Sequence, residues 1–403
     1  MIILVLNCGS SSAKYQVIDM DSNGNSLLAK GLIERIGLAD SVFTHKPEGK
    51  DKVEIVKNIP DHTAAISMIV KQIIDPESGV ISSLNELGAV GHRIAHGGEY
   101  FSESSVIDQN VIQKIEECYE LAPLHNPANL KGVLSIEHIL PNVPQVGVFD
   151  TSFHQTMPAK NFIYALPYKY YEQYKVRKYG FHGTSHRFVA QRACEMTGVD
   201  FDNSKIITCH IGNGASVTAI VNGKSFDTSM GFTPVDGLVM GTRCGEVDPG
   251  TLLYIAQKDE LNASKLSDVI NKESGLLGVS GYSSDMRDIT TAASEGNERA
   301  ALARDIFANR VKKFIGGYAA EMGGVDLVVF TGGIGENSCE MRACILEGME
   351  FMGIDFDAKA NELRGEDTYL STKDSKVKTV AIMTNEELVI ATDTFNLVKK
   401  RSE

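Results

Sequence analysis

The 403 residues hold no CxxC pair, no apolar run near the ~18 residues that cross a bilayer, and fewer positive charges than negative ones. Each shortage excludes something. The seven cysteines, Cys8, Cys118, Cys194, Cys209, Cys244, Cys339 and Cys344, are odd in number and read as reduced thiols of a cytoplasmic protein. The apolar start Ile2 to Leu6 is too short for a signal peptide and has no basic flank. With 39 Lys and Arg against 52 Asp and Glu, the net charge of -13 argues against nucleic-acid or anionic-membrane partners. An acidic chain that binds anions must gather its few cations in the site, so any arginine beside a glycine loop is a candidate. Low-complexity stretches and flexible linkers are also missing. What remains is an ordinary globular composition, 43% hydrophobic and 23% charged, long enough for two or three domains.

The most informative stretch is Ile3 to Ile18, an apolar strand that enters a Gly/Ser turn at Gly9, Ser10 and Ser11 and returns as a second strand. Backbone donors and serine hydroxyls in such a turn can wrap a phosphate. The pattern recurs at Lys205 to Ile220, with Gly212, Asn213 and Gly214 at the turn. Gly88 to Gly98 and Asp326 to Gly335 are both short apolar strands ending in paired glycines. Gln145 to Thr151 and Thr379 to Asn385 are both strands with polar carboxyl ends. Three matched pairs in one order predict two homologous halves, each a mixed sheet flanked by helices, with a nucleotide cleft between them and a boundary near Asp150.

Helix signals fill the intervals. Asp61 precedes Ile66, Ile69 and Ile73 at helical spacing, Asp108 precedes Val111, Ile115 and Tyr119, and Asn126-Pro127 supplies an N-cap and a first-turn proline. Arg299 to Met322 and Ser338 to Met352 are helical in pattern. After the last strand, Thr384 and Glu387 have capping-box spacing, which leaves Glu386 free beside the strand end.

Eight segments in order carry a family resemblance: Asn7-Cys-Gly-Ser-Ser-Ser12, His92-Arg-Ile-Ala-His-Gly-Gly98, Leu121-Ala-Pro-Leu-His-Asn126, Phe149-Asp-Thr-Ser-Phe-His154, Tyr179-Gly-Phe-His-Gly-Thr-Ser-His186, Gly241-Thr-Arg243, Phe330-Thr-Gly-Gly-Ile-Gly-Glu-Asn337 and Thr384-Asn-Glu-Glu387. Together they closely resemble the acetate kinase family over essentially the whole chain. The resemblance implies an α/β fold of two duplicated ribonuclease-H-like lobes, residues 1–149 with 388–403 and residues 150–387. It also implies a homodimer that moves phosphoryl between ATP and acetate, with propionate as the alternative acceptor.

Such a transfer crowds negative oxygens together, so it needs positioning and charge neutralisation. Arg93 and Arg243 can each make two-pronged contacts to a carboxylate or phosphoryl group. By resemblance, Arg93 holds substrate, while Arg243 and His182 stabilise the transition state. Asp150 ends a strand where ligands of open sheets gather; the family lists it as catalytic, although a substrate carboxylate is already ionised and needs no base. The resemblance places Mg2+ or Mn2+ at Asn7 and Glu386 and builds the acyl pocket from Ala95, Leu124, Phe181 and Pro234. It assigns nucleotide contacts to Ser10, Ser12 and Lys14 of the first hairpin and to His210, Ile211, Gly212, Asn213 and Gly214 of the second. Further nucleotide contacts fall on Asp285, Met286 and Arg287 and on Gly333, Ile334, Gly335, Glu336 and Asn337.

Competing signals are weaker. His182 and His186 have i, i+4 spacing, but no HExxH glutamate or third ligand accompanies them, and a structural role at a helix start suits His186. Asn222-Gly-Lys-Ser225 lacks the first P-loop glycine, since Thr218 stands there. Gly333-Ile-Gly335 lacks the third dinucleotide glycine, since Ser338 stands there. A non-transferring ATPase switch of the same superfamily is the rival class, and it has no need of Arg93, Arg243 and His182.

Overall fold

The computed structural model describes residues 1–22 and 24–402. The chain forms two compact units, residues 1–155 with 385–403 and residues 156–384. Asp150 to Gln155 therefore belong to the first unit, past the boundary drawn at Asp150 from sequence; the Asp150 side chain is an ion-pair partner of Arg93 on a neighbouring strand. Among the described residues no helix is long and apolar enough to cross a membrane.

The first unit holds an eight-stranded sheet built from β1 (Ile2–Cys8), β2 (Ser12–Asp21), β3 (Gly24–Glu34), β4 (Ser41–Pro47), β5 (Val53–Lys57), β6 (Leu87–Ile94), β7 (Ser105–Val106) and β8 (Gln145–Phe149), in the order β5-β4-β3-β2-β1-β6-β8-β7. β1 reads as a continuous apolar run because both its faces are covered. Leu4, Leu6 and Cys8 pack with Ile66, Ile69 and Ile73 of helix His62–Ile73, while Ile3 and Val5 pack with Ile390 and Ala391 of helix Glu386–Ser402. Asp61 caps the first of these helices through a 2.8 Å bond from Ala64 N.

The second unit repeats the plan with β9 (Lys205–Ile211), β10 (Ala215–Val221), β11 (Lys224–Thr228), β12 (Leu327–Thr331), β13 (Thr368–Tyr369) and β14 (Lys378–Ala381), ordered β11-β10-β9-β12-β14-β13. The run β3-β2-β1-β6-β8 thus matches β11-β10-β9-β12-β14, with antiparallel hairpins giving way to parallel strands in both. In the β9–β10 hairpin the side chains alternate. Ile207, Cys209, Val217 and Ala219 pack with Phe307, Val311 and Ile315 of helix Glu298–Met322. Thr208, His210, Ser216 and Thr218 form a polar row on the opposite face, because Thr208 pairs with Thr218 and His210 with Ser216.

Three local expectations change. Asn126 is the first residue of helix Asn126–Ile139, not its cap, and its amide bonds the His96 backbone instead. The helix expected over Ser338 to Met352 stops at Leu346, since Gly348 takes a φ of +74° and a short 3-10 turn follows at Glu350–Met352. The last helix is not capped by a Thr384–Glu387 box: Asn385 Oδ1 accepts from Leu388 N at 3.0 Å, while Thr384 bonds Ser185 and Glu387 pairs with Lys14.

Candidate active site

Three neighbouring strand ends assemble the first group. β1, β6 and β8 run parallel, so Asn7, Arg93 and Asp150 emerge together at their carboxyl ends. Arg93 donates to Asn7 Oδ1 at 3.3 Å and forms an ion pair with Asp150, whose side chain is 1% exposed. The neighbouring carboxylate, Asp150, holds the Arg93 guanidinium above its ordinary pKa against the pull of burial. Arg93 Nε is buried without a partner, so the guanidinium retains a donor that the protein does not satisfy. Helix Glu386–Ser402 brings two more carboxylates to this group. Burial, aided by the charge of Asp150 and opposed by Arg93, pushes the Glu386 carboxyl up to about 7.

The loop after β6 is clamped by buried amides. Asn129 accepts from Ala95 N at 2.9 Å and donates to Cys8 O at 2.6 Å, tying the end of β1 to the residue after β6. Asn126 grips both the N–H and C=O of His96, and Thr151 accepts from Gly97 N. Ala95 is 4% exposed, whereas Leu124 leaves 73% of its surface in water. Lys14, half exposed, forms an ion pair with Glu387. Ser10 and Ser12 lie in the first hairpin turn, where Gly9 N donates to Ser12 O at 2.8 Å.

In the second unit, helix Gly183–Thr197 starts over the polar row of the β9–β10 hairpin. His182 sits before it with a φ of 57°, a left-handed conformation uncommon for a residue with a side chain and found at functional turns. Its ring stacks on His210 at 4.2 Å, and its Nδ1 lies 2.9 Å from Ser216 Oγ. A Cβ at Gly214 would meet Arg243 at 3.6 Å and the His182 ring at 3.8 Å, so the two groups converge above that residue. Close approach also explains Gly241, where a Cβ would fall 1.8 Å from Asn213 Oδ1. That contact locks the Gly241 to Arg243 loop onto the hairpin turn, with Gly241 N donating to Asn213 O at 3.0 Å.

Arg243 differs from Arg93. It donates to Pro234 O at 3.3 Å and has no carboxylate partner among the described residues. Burial pushes its guanidinium below the usual arginine range. A desolvated cation without a counter-charge is an anion site in waiting. Phe181 is 8% exposed, and Pro234 is half-buried.

Beside this convergence lies a cavity of about 930 Å³, large enough for a nucleoside. Gly212 and Asn213 form its inner end, Asp285 to Arg287 one wall, and Gly333, Ile334 and Asn337 another. Gly214, His210, Ile211, Gly335 and Glu336 are not on its walls. Ile211 is core, and Glu336 Oε1 accepts from Gly332 N, Thr384 N and the Thr331 hydroxyl, which fixes the turn after β12. Ser10, Ser12 and Lys14 belong to the other unit.

The model of the Acetokinase family matches residues 2–392. This chain belongs to that family. It is 55% identical to the acetate kinase of Caldanaerobacter subterraneus subsp. tengcongensis over 99% of both chains. Among solved structures it resembles the Porphyromonas gingivalis acetate kinase, with a TM-score of 0.95 and 52% identity over 98% of this chain and 99% of that one. A propionate kinase from Francisella tularensis subsp. tularensis aligns with a TM-score of 0.90 and 40% identity over 98% and 99%. Within this acetokinase, sequence reasoning missed Asn129, Ser216 and Arg364. Asn129 follows Asn126 by three residues on one helix face, a spacing that signals two amides turned the same way. Ser216 was marked by a polar row in strands otherwise apolar. Arg364 lines the cavity from a loop and gave no sequence signal.

Proposed function

We propose that this chain is an acetate kinase, transferring the γ-phosphoryl group of ATP to acetate in a direct, reversible, in-line step. A carboxylate oxygen of acetate forms the new P–O bond, the bond from phosphorus to the β,γ-bridging oxygen breaks, and ADP leaves with that electron pair. Supporting the reading above all is the convergence of Arg243 and His182 over Gly214, next to the glycine turn that opens into the nucleotide-sized cavity. Arg243, lacking a counter-charge, is set to bind the equatorial phosphoryl oxygens, and His182 donates to them. Arg93 takes the acetate carboxylate. Asp150 orients Arg93 and is not a base, because acetate arrives ionised.

Nucleotide chemistry implies Mg2+, or Mn2+ in its place. Asn7 and Glu386 supply hard oxygen donors, and a carboxyl raised by burial beside Asp150 is relieved by an added cation. Among the described residues no cluster of three His, Cys, Asp or Glu forms a metal cage, which suits an ion held jointly with phosphates. When bound, the ion neutralises phosphate charge.

The small Ala95 leaves room for propionate as a second acceptor. We assign the homodimer to a face made by helices Pro249–Lys258 and Ala263–Lys272, which bury none of their residues although Leu253 and Tyr254 are 71% and 61% exposed. The seven free thiols fit a cytoplasmic setting. The deciding experiment follows ADP release with and without acetate, propionate, formate and butyrate. ADP forms only when an acceptor is present, and fastest with acetate; equal release without any acceptor would mean an ATPase switch.

A further inference from the structure

Behind His182 runs a chain of three hydrogen bonds, the inner two buried, that ends at a threonine. His182 Nδ1 lies 2.9 Å from Ser216 Oγ, Ser216 Oγ lies 2.7 Å from His186 Nε2, and His186 Nδ1 lies 2.7 Å from Thr208 Oγ1. Ser216, His186 and Thr208 are each 0% exposed. The arrangement follows from two periodicities. His182 and His186 are four residues apart at a helix start, so both rings face one way. Thr208 and Ser216 lie on the hairpin face beneath them.

Each hydroxyl has one hydrogen and each neutral imidazole one N–H, so with Ser216 spending its hydrogen inside the chain the three bonds can point in only two concerted directions. In one, Thr208 donates to His186 Nδ1, His186 Nε2–H donates to Ser216, and Ser216 donates to His182 Nδ1. His182 then carries its proton on Nε2. In the other, every donor reverses and Nε2 is bare. The Nε2 edge of His182 shares the space above Gly214 with the Arg243 guanidinium, which disfavours a second positive charge on the ring, and His210 stacks on the ring face. A phosphoryl group offers only acceptors, so a neutral ring serves it only from a protonated Nε2.

We infer that Ser216 is a positioning residue that, through the Thr208–His186–Ser216–His182 chain, fixes His182 as the neutral tautomer protonated on Nε2. The inference rests on the proposed phosphoryl-donor role of His182. It makes Ser216 a determinant of turnover although it touches no substrate, and it gives His186 a task beyond filling the core.

The test combines ring 15N spectra of the histidines in the intact protein with kinetics of Ser216→Ala and Thr208→Val. Assigned through a His182→Gln control, His182 of the wild type shows a bare Nδ1 and a protonated Nε2. Ser216→Ala loses that preference and lowers kcat about 10- to 100-fold, the scale on which outer partners of a working histidine act, while KM for ATP stays within about twofold. Thr208→Val keeps the side-chain shape, removes the terminal donor and gives a smaller fall in kcat with the same spectral change. A wild-type His182 protonated on Nδ1, or a folded Ser216→Ala with unchanged kcat and tautomer, overturns the inference. Should Ser216→Ala not fold, Thr208→Val and the wild-type spectrum decide in its place. If no acceptor is phosphorylated at all, the functional reading fails, while the spectra still report the tautomer.

Discussion

Arg93 and Arg243 carry the same charge into different surroundings, and the difference separates their variants. Either Arg→Ala change should lower kcat/KM by roughly 100-fold or more, the scale of losing one transition-state donor. Only Arg93→Ala removes a counter-charge, because Asp150, whose side chain is 1% exposed, is its ion-pair partner. Breaking a fully buried pair costs about 3–5 kcal/mol; with Arg93 a quarter exposed the loss is smaller, yet its melting temperature should fall clearly below that of Arg243→Ala. Equal melting curves would refute the contrast. Both arginines were legible in the sequence because each stands near glycines, Arg93 in β6 and Arg243 in a loop. Their partners were not, since a carboxylate 57 positions away becomes a neighbour only when β6 and β8 pair. Ala95 carries a subtler consequence. Adding two methyl groups with Ala95→Val should depress propionate use about tenfold more than acetate use, the scale of one methylene in an apolar pocket. Competition kinetics with both acids measure it, and an equal effect on both would show that Ala95 does not set chain length.

The start of helix Glu386–Ser402 shows how close a sequence pattern can come while naming the wrong atoms. Thr384 and Glu387 have capping-box spacing, but Asn385 also accepts well at an N-cap and lies one residue nearer the helix, so it takes the role. Glu387 is then drawn to Lys14 across from Asn7, a pairing set by the β1–β2 register. Glu386 is left where the sequence placed it, free of the cap and facing Arg93 and Asp150. Its carboxyl is raised from 4.5 to about 7 on folding, so the folded chain binds the proton more tightly than the unfolded one. Glu386 therefore costs nothing below pH ~4.5; its burial penalty grows from there to about pH 7 and is complete above it. Glu386→Gln should melt a few degrees above the wild type at pH 8, as about 1 kcal/mol produces in a unit of this size, and level with it at pH 4.5. Calorimetry without nucleotide checks this, and a gain confined to acid pH would reverse the sign. The same variant should lose most of its magnesium-dependent activity.

Duplication was the most legible property of all, because matched strands come in one order and the order of sheet neighbours follows it: β3-β2-β1-β6-β8 against β11-β10-β9-β12-β14. What the repeat hid was everything unique to one copy, such as β4 and β5 in the first sheet and the surface helices of the second unit. Those helices are amphipathic, and Leu253 and Tyr254 of the first stay largely in water. If they meet a second copy, Leu253→Glu should shift the protein to monomer, seen as halved mass in sedimentation, with its fold intact; an unchanged dimer would move the interface elsewhere. The last helix gives the chain a history in time. Residues 156–384 are continuous, so the second unit leaves the ribosome with all its parts. The first unit does not, since the cluster that holds Ile3, Val5, Ala89 and Val148 is completed by Ile390, Ala391 and Val398 from the last helix. Translation runs at ~5–20 residues per second, so the half made first waits many seconds, one face of its sheet bare to water, while the half made second can already be complete.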